Sequence, residues 1–188
     1  MVDEITFEPF PKIPRLKRGC IITEKLDGTN AQIIITNDGK IGAASRRRLI
    51  TPDSDNYGFA SWVEKHKKEL LSLGPGRHFG EWWGLGIQRG YNLSERRFSL
   101  FNTNRWLKDP NKPACCGVVP LLYEGEFSTL IIDEIIQSLK DSGSSEVEFP
   151  DPEGIVVFLP QARAMFKVLC ENDHKHKKEL EKCPISET

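Results

Sequence analysis

Residues 24–30 read EKLDGTN and lie between two short apolar runs, Cys20-Ile21-Ile22 and Ile33-Ile34-Ile35. Short β-branched runs separated by a polar Asp-Gly turn predict two strands, over 20–25 and 29–36. Residues two apart in a strand project to the same side, so Lys25 and Asp27 share a face at the strand end. Gly28 lets the chain turn sharply or lets a ligand approach the backbone. Such a turn is either a solvated connection or the seat of a reactive amine. Asn37-Asp38-Gly39 turns the chain again, because these residue types tolerate positive φ, and 40–45 returns as a strand. The chain therefore begins as antiparallel β.

The remaining pattern mixes strands with helices. Phe59, Trp62, Val63, His66, Leu70 and Leu73 recur at helical spacing, which predicts a helix over 59–73 stopped by Gly74-Pro75-Gly76. Strands are expected at 77–83, 98–103 and 118–123. Ser128 is placed to cap a helix over 129–140, with Ile132, Ile135, Ile136 and Leu139 as its buried stripe. Two more strands, 154–159 and 163–169, and a charged helix over 172–182 follow. The stretch RRRLITPDSDNYG and residues 107–117 read as exposed loops. This order predicts an α+β fold of antiparallel β-sheets with flanking helices. No break in composition divides it, so one domain over 1–188 is expected.

Composition narrows the class. The chain has 188 residues, enough to bury a core, and a formal net charge of -1. Bulk charge does not announce a nucleic-acid binder, so any such surface is local. No apolar run is long enough to span a bilayer, and the N-terminal MVDEITFEPFPKIPRLKRG lacks a signal-peptide core. An intracellular protein without a membrane partner is expected, cytoplasmic, or in the host cytoplasm if viral. Cys20, Cys115, Cys116, Cys170 and Cys183 are odd in number and contain no Cys-x-x-Cys pair, which argues against a disulfide framework and a structural zinc. His174 and His176 read as part of a solvated helix face rather than a metal pair.

Five stretches carry chemistry. A nucleophilic lysine must shed its proton, and a free lysine has a pKa of about 10.4. Asp27 beside Lys25 opposes that loss unless a metal neutralises it, so the pair implies a divalent cation. Glu81 sits in an apolar strand among Gly80, Gly84 and Gly86. A buried carboxylate needs a partner or a ligand, and the glycines suit close approach of a backbone or ligand. Trp82 and Trp83 read as packing residues. Of Phe98 and Phe101, one suits stacking on a nucleobase and the other core packing. Glu153 opens an apolar strand beside Gly154, and Lys167 lies within one, where buried lysines rarely lack an anionic partner.

Taken in order, Lys25-x-Asp27-Gly28, Ser45-Arg46, Gly80-Glu81, the 98–101 aromatic strand, Glu153-Gly154-Ile155-Val156 and Lys167 resemble the collinear motifs of the covalent nucleotidyltransferases. That superfamily holds ATP-dependent DNA ligases, RNA ligases and mRNA capping guanylyltransferases. Residues 24–30 and Gly80-Glu81-x-x-Gly84-x-Gly86-Ile87-Gln88 are most similar to nick-sealing RNA ligases of the phage and kinetoplastid editing type. The resemblance covers residues 20–170 and implies a nucleotidyltransferase (adenylation) domain.

It also implies a reaction. Lys25 attacks the α-phosphate of ATP to form lysyl-AMP, AMP passes to a 5′-phosphate of RNA or DNA, and a 3′-hydroxyl then displaces AMP. ATP and Mg²⁺ or Mn²⁺ are the implied cofactors. By the same resemblance Asp27, Asn30 and Arg46 act near the phosphates, Gly28 belongs to the nucleotide loop, and Glu24 lies near the adenine edge. Glu81 binds the ribose hydroxyls, Phe101 stacks on adenine and Phe98 packs inside. Glu153 helps hold the metal, and Lys167 neutralises the α-phosphate.

Two features depart from the family pattern. A second lysine is usual where Leu169 stands, so that contact is missing or comes from elsewhere, with Arg163 the candidate. No oligonucleotide-fold or C-terminal accessory domain is expected after residue 170, which leaves a minimal ligase or a catalytic domain with a partner. A separate end-healing enzyme is a further expected partner. Arg46, Arg47, Arg48, Arg89, Arg96 and Arg97 form either a local polynucleotide footprint or an ordinary solvated surface. The alternatives are a DNA ligase or capping-type enzyme, or a non-catalytic nucleotide- or RNA-binding module, which Leu169 alone favours.

Overall fold

The β-branched runs around the opening turn form β1 (Gly19–Glu24) and β2 (Thr29–Ile35) in a computed structural model that describes residues 6–13, 15 and 18–173. These two strands do not pair with each other. Each nucleates its own sheet, and the 25–28 turn carries the chain between them. β3 (Ile41–Ser45), β4 (Leu49–Ile50), β5 (Gly76–Gly84), β6 (Arg96–Leu100) and β7 (Cys116–Val118) join β2 in the order β4-β3-β2-β5-β6-β7. β8 (Leu121–Glu126), β9 (Gly154–Leu159) and β10 (Ala164–Leu169) join β1 in the order β10-β9-β1-β8. All pairs are antiparallel except β6 with β7, which is parallel.

Each sheet buries one face against helices, as its period-2 pattern requires. Ala31, Ile33 and Ile35 of β2 pack on Phe59 and Val63 of α1 (Phe59–Lys65) and on Leu70 and Leu73. Cys20 and Ile22 of β1, with Ile155 and Val157, pack on Ile136 and Leu139 of α4 (Thr129–Ser142). A third cluster, Leu26, Trp83, Tyr91 and Val119, lies beneath the 25–28 turn. Trp82 and Trp83 are both buried, as their reading as packing residues requires.

Several expectations need correction. The helix expected over 59–73 breaks at His66, whose Nδ1 lies 2.9 Å from the Trp62 carbonyl. It resumes as α2 (Lys67–Leu70) and a 3₁₀ turn, Leu71–Leu73. The apolar face stays continuous across the break, so the side-chain period conceals it. The strand expected over 118–123 is two strands in different sheets, divided at Pro120, which has no N–H for a ladder. β6 ends at Leu100, and the Asn102 side chain accepts from the Arg105 N–H to cap a short α3 (Thr103–Trp106). Ser128 makes no side-chain cap bond to α4. The 107–117 loop is not wholly exposed, since Pro113 and Cys116 are buried. The expected 172–182 helix, His174, His176 and Cys183 lie essentially outside the described residues. Among the described residues, no helix is long and apolar enough to cross a membrane.

Candidate active site

The alternation of β1 decides which side chains reach the space between the sheets. Cys20 and Ile22 face α4, while Ile21, Thr23 and Lys25 line a cavity of about 780 Å³. Val156 and Phe158 extend that wall, and Asn30, Phe79 and Glu81 of the other sheet stand opposite. The volume is in the range of small-molecule sites.

Lys25 is held at both ends. Its N–H donates to the Gly154 carbonyl at 2.8 Å, and its Nζ donates to Glu153 Oε2 at 2.5 Å. Both partners come from the start of β9, so the motif residues Lys25 and Glu153-Gly154 are one structural unit. A Cβ on Gly154 would strike the Val168 carbonyl and lie 2.8 Å from Leu169 Cα, at a φ of +147° that favours glycine. Gly28 has a different reason from the sharp turn or ligand approach expected of it. A Cβ there would collide with the Trp82 carbonyl and sit 2.7 Å from Trp83 Cβ, so glycine admits the β5 backbone.

Glu81 is buried and accepts from Asn30 Nδ2 at 3.0 Å, the residue opposite it in the β2–β5 register. Burial raises its carboxyl to about 7, against the Asn30 bond and the positive charge of Lys25, while Glu153 adds to the rise. The group is thus poised to change charge near neutral pH. Phe98 is fully buried and packs on Phe59 at a centroid distance of 5.1 Å, whereas Phe101 is 39% exposed and lines the cavity. Phe98 therefore belongs to the core and Phe101 to the cavity wall. Phe79, half-exposed on the same wall, was not singled out from the sequence, although it lies two residues before Glu81 and so shares its face.

Other candidates sit differently from expectation. The Glu24 carboxylate is buried on the α4 side of β1, where it accepts from Ser144 Oγ at 2.6 Å and Ser145 N–H at 2.8 Å. Glu24 also lines the cavity beside Lys25, while these bonds fix its carboxylate. Burial raises its carboxyl despite those bonds. Asp27 is paired with a cation: Arg89 Nη1 donates to its Oδ2 at 2.8 Å, and its own N–H donates to Tyr91 Oη at 2.7 Å. Burial pushes the Tyr91 hydroxyl upward, which keeps it neutral.

The arginines divide in two. Arg46 lines the cavity and is exposed, and Arg47 is exposed beside it. Arg48 instead donates to Ser54 Oγ and the Ser54 carbonyl, both at 2.9 Å, and fastens its own loop. Arg96 donates to the Leu85 and Tyr57 carbonyls, and Arg97 pairs with Glu95 at 2.8 Å. Arg89 pairs with Asp27 and Asp151. Arg48, Arg89, Arg96 and Arg97 thus all make bonds within the chain.

Lys167 is exposed rather than buried and has no acidic partner among the described residues. It lies opposite Val156 in the register, which sets it on the cavity face. Leu169, on the same face, is half-buried. Arg163 precedes β10 while Leu169 ends it, a separation of roughly 20 Å along an extended strand. Arg163 thus lies beyond the opposite end of β10 from Leu169.

No group of three or more His, Cys, Asp and Glu side chains gathers to hold a metal among the described residues. The donors near Lys25 are carboxylates, Glu153 and Glu81. Such a set fits Mg²⁺ or Mn²⁺ bound by one or two carboxylates with phosphate oxygens and water completing the shell.

The cavity between the two sheets thus gathers a lysine–carboxylate pair, a second buried carboxylate and an exposed aromatic. The RNA ligase family model matches residues 18–169, and the chain belongs to that family. A Naegleria gruberi RNA ligase mutant with ATP and Mn is similar at 21% identity and a TM-score of 0.59, over 86% of this chain and 53% of that one. Another, with AMP and Mn, is similar at 20% identity and a TM-score of 0.62 over 86% and 53%. An archaeal ATP-dependent RNA ligase is similar at 20% identity and a TM-score of 0.61, over 93% of this chain and 52% of that one. The chain spans about half the length of these solved structures, whose likeness is one of fold. No curated protein matches the sequence.

Proposed function

We propose that this chain is an ATP-dependent RNA ligase that works through a covalent Lys25–AMP intermediate. The observation that carries this reading is the Lys25 Nζ–Glu153 pair in a nucleotide-sized cavity that Glu81 and Phe101 also line. Lys25 Nζ bonds to the α-phosphorus of ATP as the bond to the bridging oxygen breaks, and pyrophosphate leaves with that electron pair. The Nζ proton must leave, and Glu153 is within hydrogen-bond reach to take it. AMP then passes to the 5′-phosphate of RNA, and a 3′-hydroxyl displaces it to close the strand. Positioning and charge neutralisation govern each displacement.

Placement in or beside the cavity supports the other roles. Phe101 stacks on adenine, and Glu81 accepts hydrogen bonds from the ribose hydroxyls, with Asn30 fixing its carboxylate. Arg46 and Lys167 neutralise phosphate charge at the cavity face, and Arg47 meets the polynucleotide. A divalent ion held by Glu153 and phosphate oxygens would supply further charge neutralisation. Leu169 favours one second reading, a domain that binds nucleotide without transferring it.

The test incubates the protein with α-labelled ATP or GTP and Mg²⁺ or Mn²⁺ and resolves it on a denaturing gel. Label from ATP is expected and is lost in Lys25→Ala. Absence of label with either metal defeats the enzyme reading in favour of the binding module. Nicked and single-stranded RNA and DNA substrates then separate an RNA ligase from a DNA ligase.

A further inference from the structure

Arg89 occupies a position that solvent exposure and charge alone do not explain. Its side chain is 29% exposed, and its guanidinium joins two segments far apart in sequence. Nη1 donates to Asp27 Oδ2 at 2.8 Å, while Nε donates to the Asp151 carbonyl at 2.8 Å and lies 3.2 Å from Asp151 Oδ2. Asp27 is two residues from Lys25, and Asp151 is two residues from Glu153. Those two residues meet through the 2.5 Å bond between Lys25 Nζ and Glu153 Oε2. The loop holding Arg89 adds a second tie, because the Asp27 N–H donates to Tyr91 Oη at 2.7 Å. Tyr91 is itself fixed in the core, 4.9 Å from Trp83 and 4.8 Å from Phe149 between ring centroids.

We propose that Arg89 is a positioning residue for lysine adenylation, a strut that sets the separation between Lys25 and Glu153. This rests on the adenylation reading above. The planar fork of arginine presents donors along two edges, so one side chain serves Asp27 and Asp151 together. A lysine at this position carries its donors on one nitrogen and lacks the planar fork that reaches Asp27 and Asp151 along two edges. Arg89 does not touch the reacting atoms; it acts through Asp27 and Asp151. Small displacements of a reacting pair cost rate far more than they cost binding.

The test measures single-turnover formation of Lys25–AMP from labelled ATP in wild type, Arg89→Ala and Arg89→Lys, with unfolding midpoints for each. Arg89→Ala is expected to slow adenylation roughly 10- to 100-fold, with half-saturating ATP changed less than twofold. Added guanidinium ion restores part of the rate, and Arg89→Lys remains slow. A wild-type adenylation rate in Arg89→Ala, with or without weaker RNA binding, overturns the proposal. So does a rate loss that guanidinium does not restore and that follows the fraction unfolded. Failure of wild type itself to take label defeats the adenylation reading instead, which keeps the two outcomes apart.

Discussion

Glu81 shows how one buried group converts position into pH dependence. Its folded carboxyl is raised to about 7 from an ordinary 4.5, so the folded chain keeps a proton that the unfolded chain has lost across that window. Its contribution to stability is therefore full at low pH and declines as pH rises from 4.5 to 7. The complete change amounts to about 3 kcal/mol. Denaturant unfolding at pH 5 and pH 8 should show a smaller loss in Glu81→Gln than in wild type, and an unchanged loss would count against the assignment. Glu24 and Glu146 shift in the same direction but remain in the variant, so the difference isolates Glu81. Hydroxyls donate best to an ionised carboxylate, so under the proposed ribose contact ATP binding should strengthen through pH 7 more in wild type than in Glu81→Gln. The phenylalanines supply a second contrast. Phe98→Ala should cost about 3–5 kcal/mol in unfolding free energy. Phe101→Ala should leave stability within about 1 kcal/mol and raise the ATP needed for half-maximal labelling.

At the scale of elements, close backbone approach governs the 25–28 turn. Gly28→Ala forces a Cβ against the Trp82 carbonyl, a backbone atom held in the β2–β5 ladder. Overpacking of this kind costs about 1–3 kcal/mol, and the shift should lower adenylation as well as the unfolding midpoint. A control at Gly42, which has open space for a Cβ, should leave both unchanged. The elements also show where sequence reasoning stops. The opening strands, α4, β9 and β10 were legible because their side-chain periods match their backbones. The break at His66 and the change of sheet at Pro120 were not. An apolar face persists through the first, and the second depends on which sheet each half of the segment joins.

At the scale of the whole molecule, the cavity exists only where the two sheets face each other. A ligand bridging them stabilises the folded state by mass action, about 2.7 kcal/mol at a concentration a hundredfold above Kd. ATP should therefore raise the unfolding midpoint of Lys25→Ala while that variant takes no covalent label. No shift at high ATP concentration would mean that the folded chain does not bind the nucleotide. The order of Lys25, Glu81, Phe101, Glu153 and Lys167 is written in the sequence alone, and their resemblance to a collinear motif set, not any local period, singled them out. Tertiary structure decided the rest. It buried Phe98 and exposed Phe101, tied the Glu24 carboxylate to Ser144 and Ser145, and committed Arg89 to Asp27 and Asp151 rather than to solvent. Those outcomes depend on strand alternation relative to a second sheet and on partners more than fifty residues away, which no local pattern encodes.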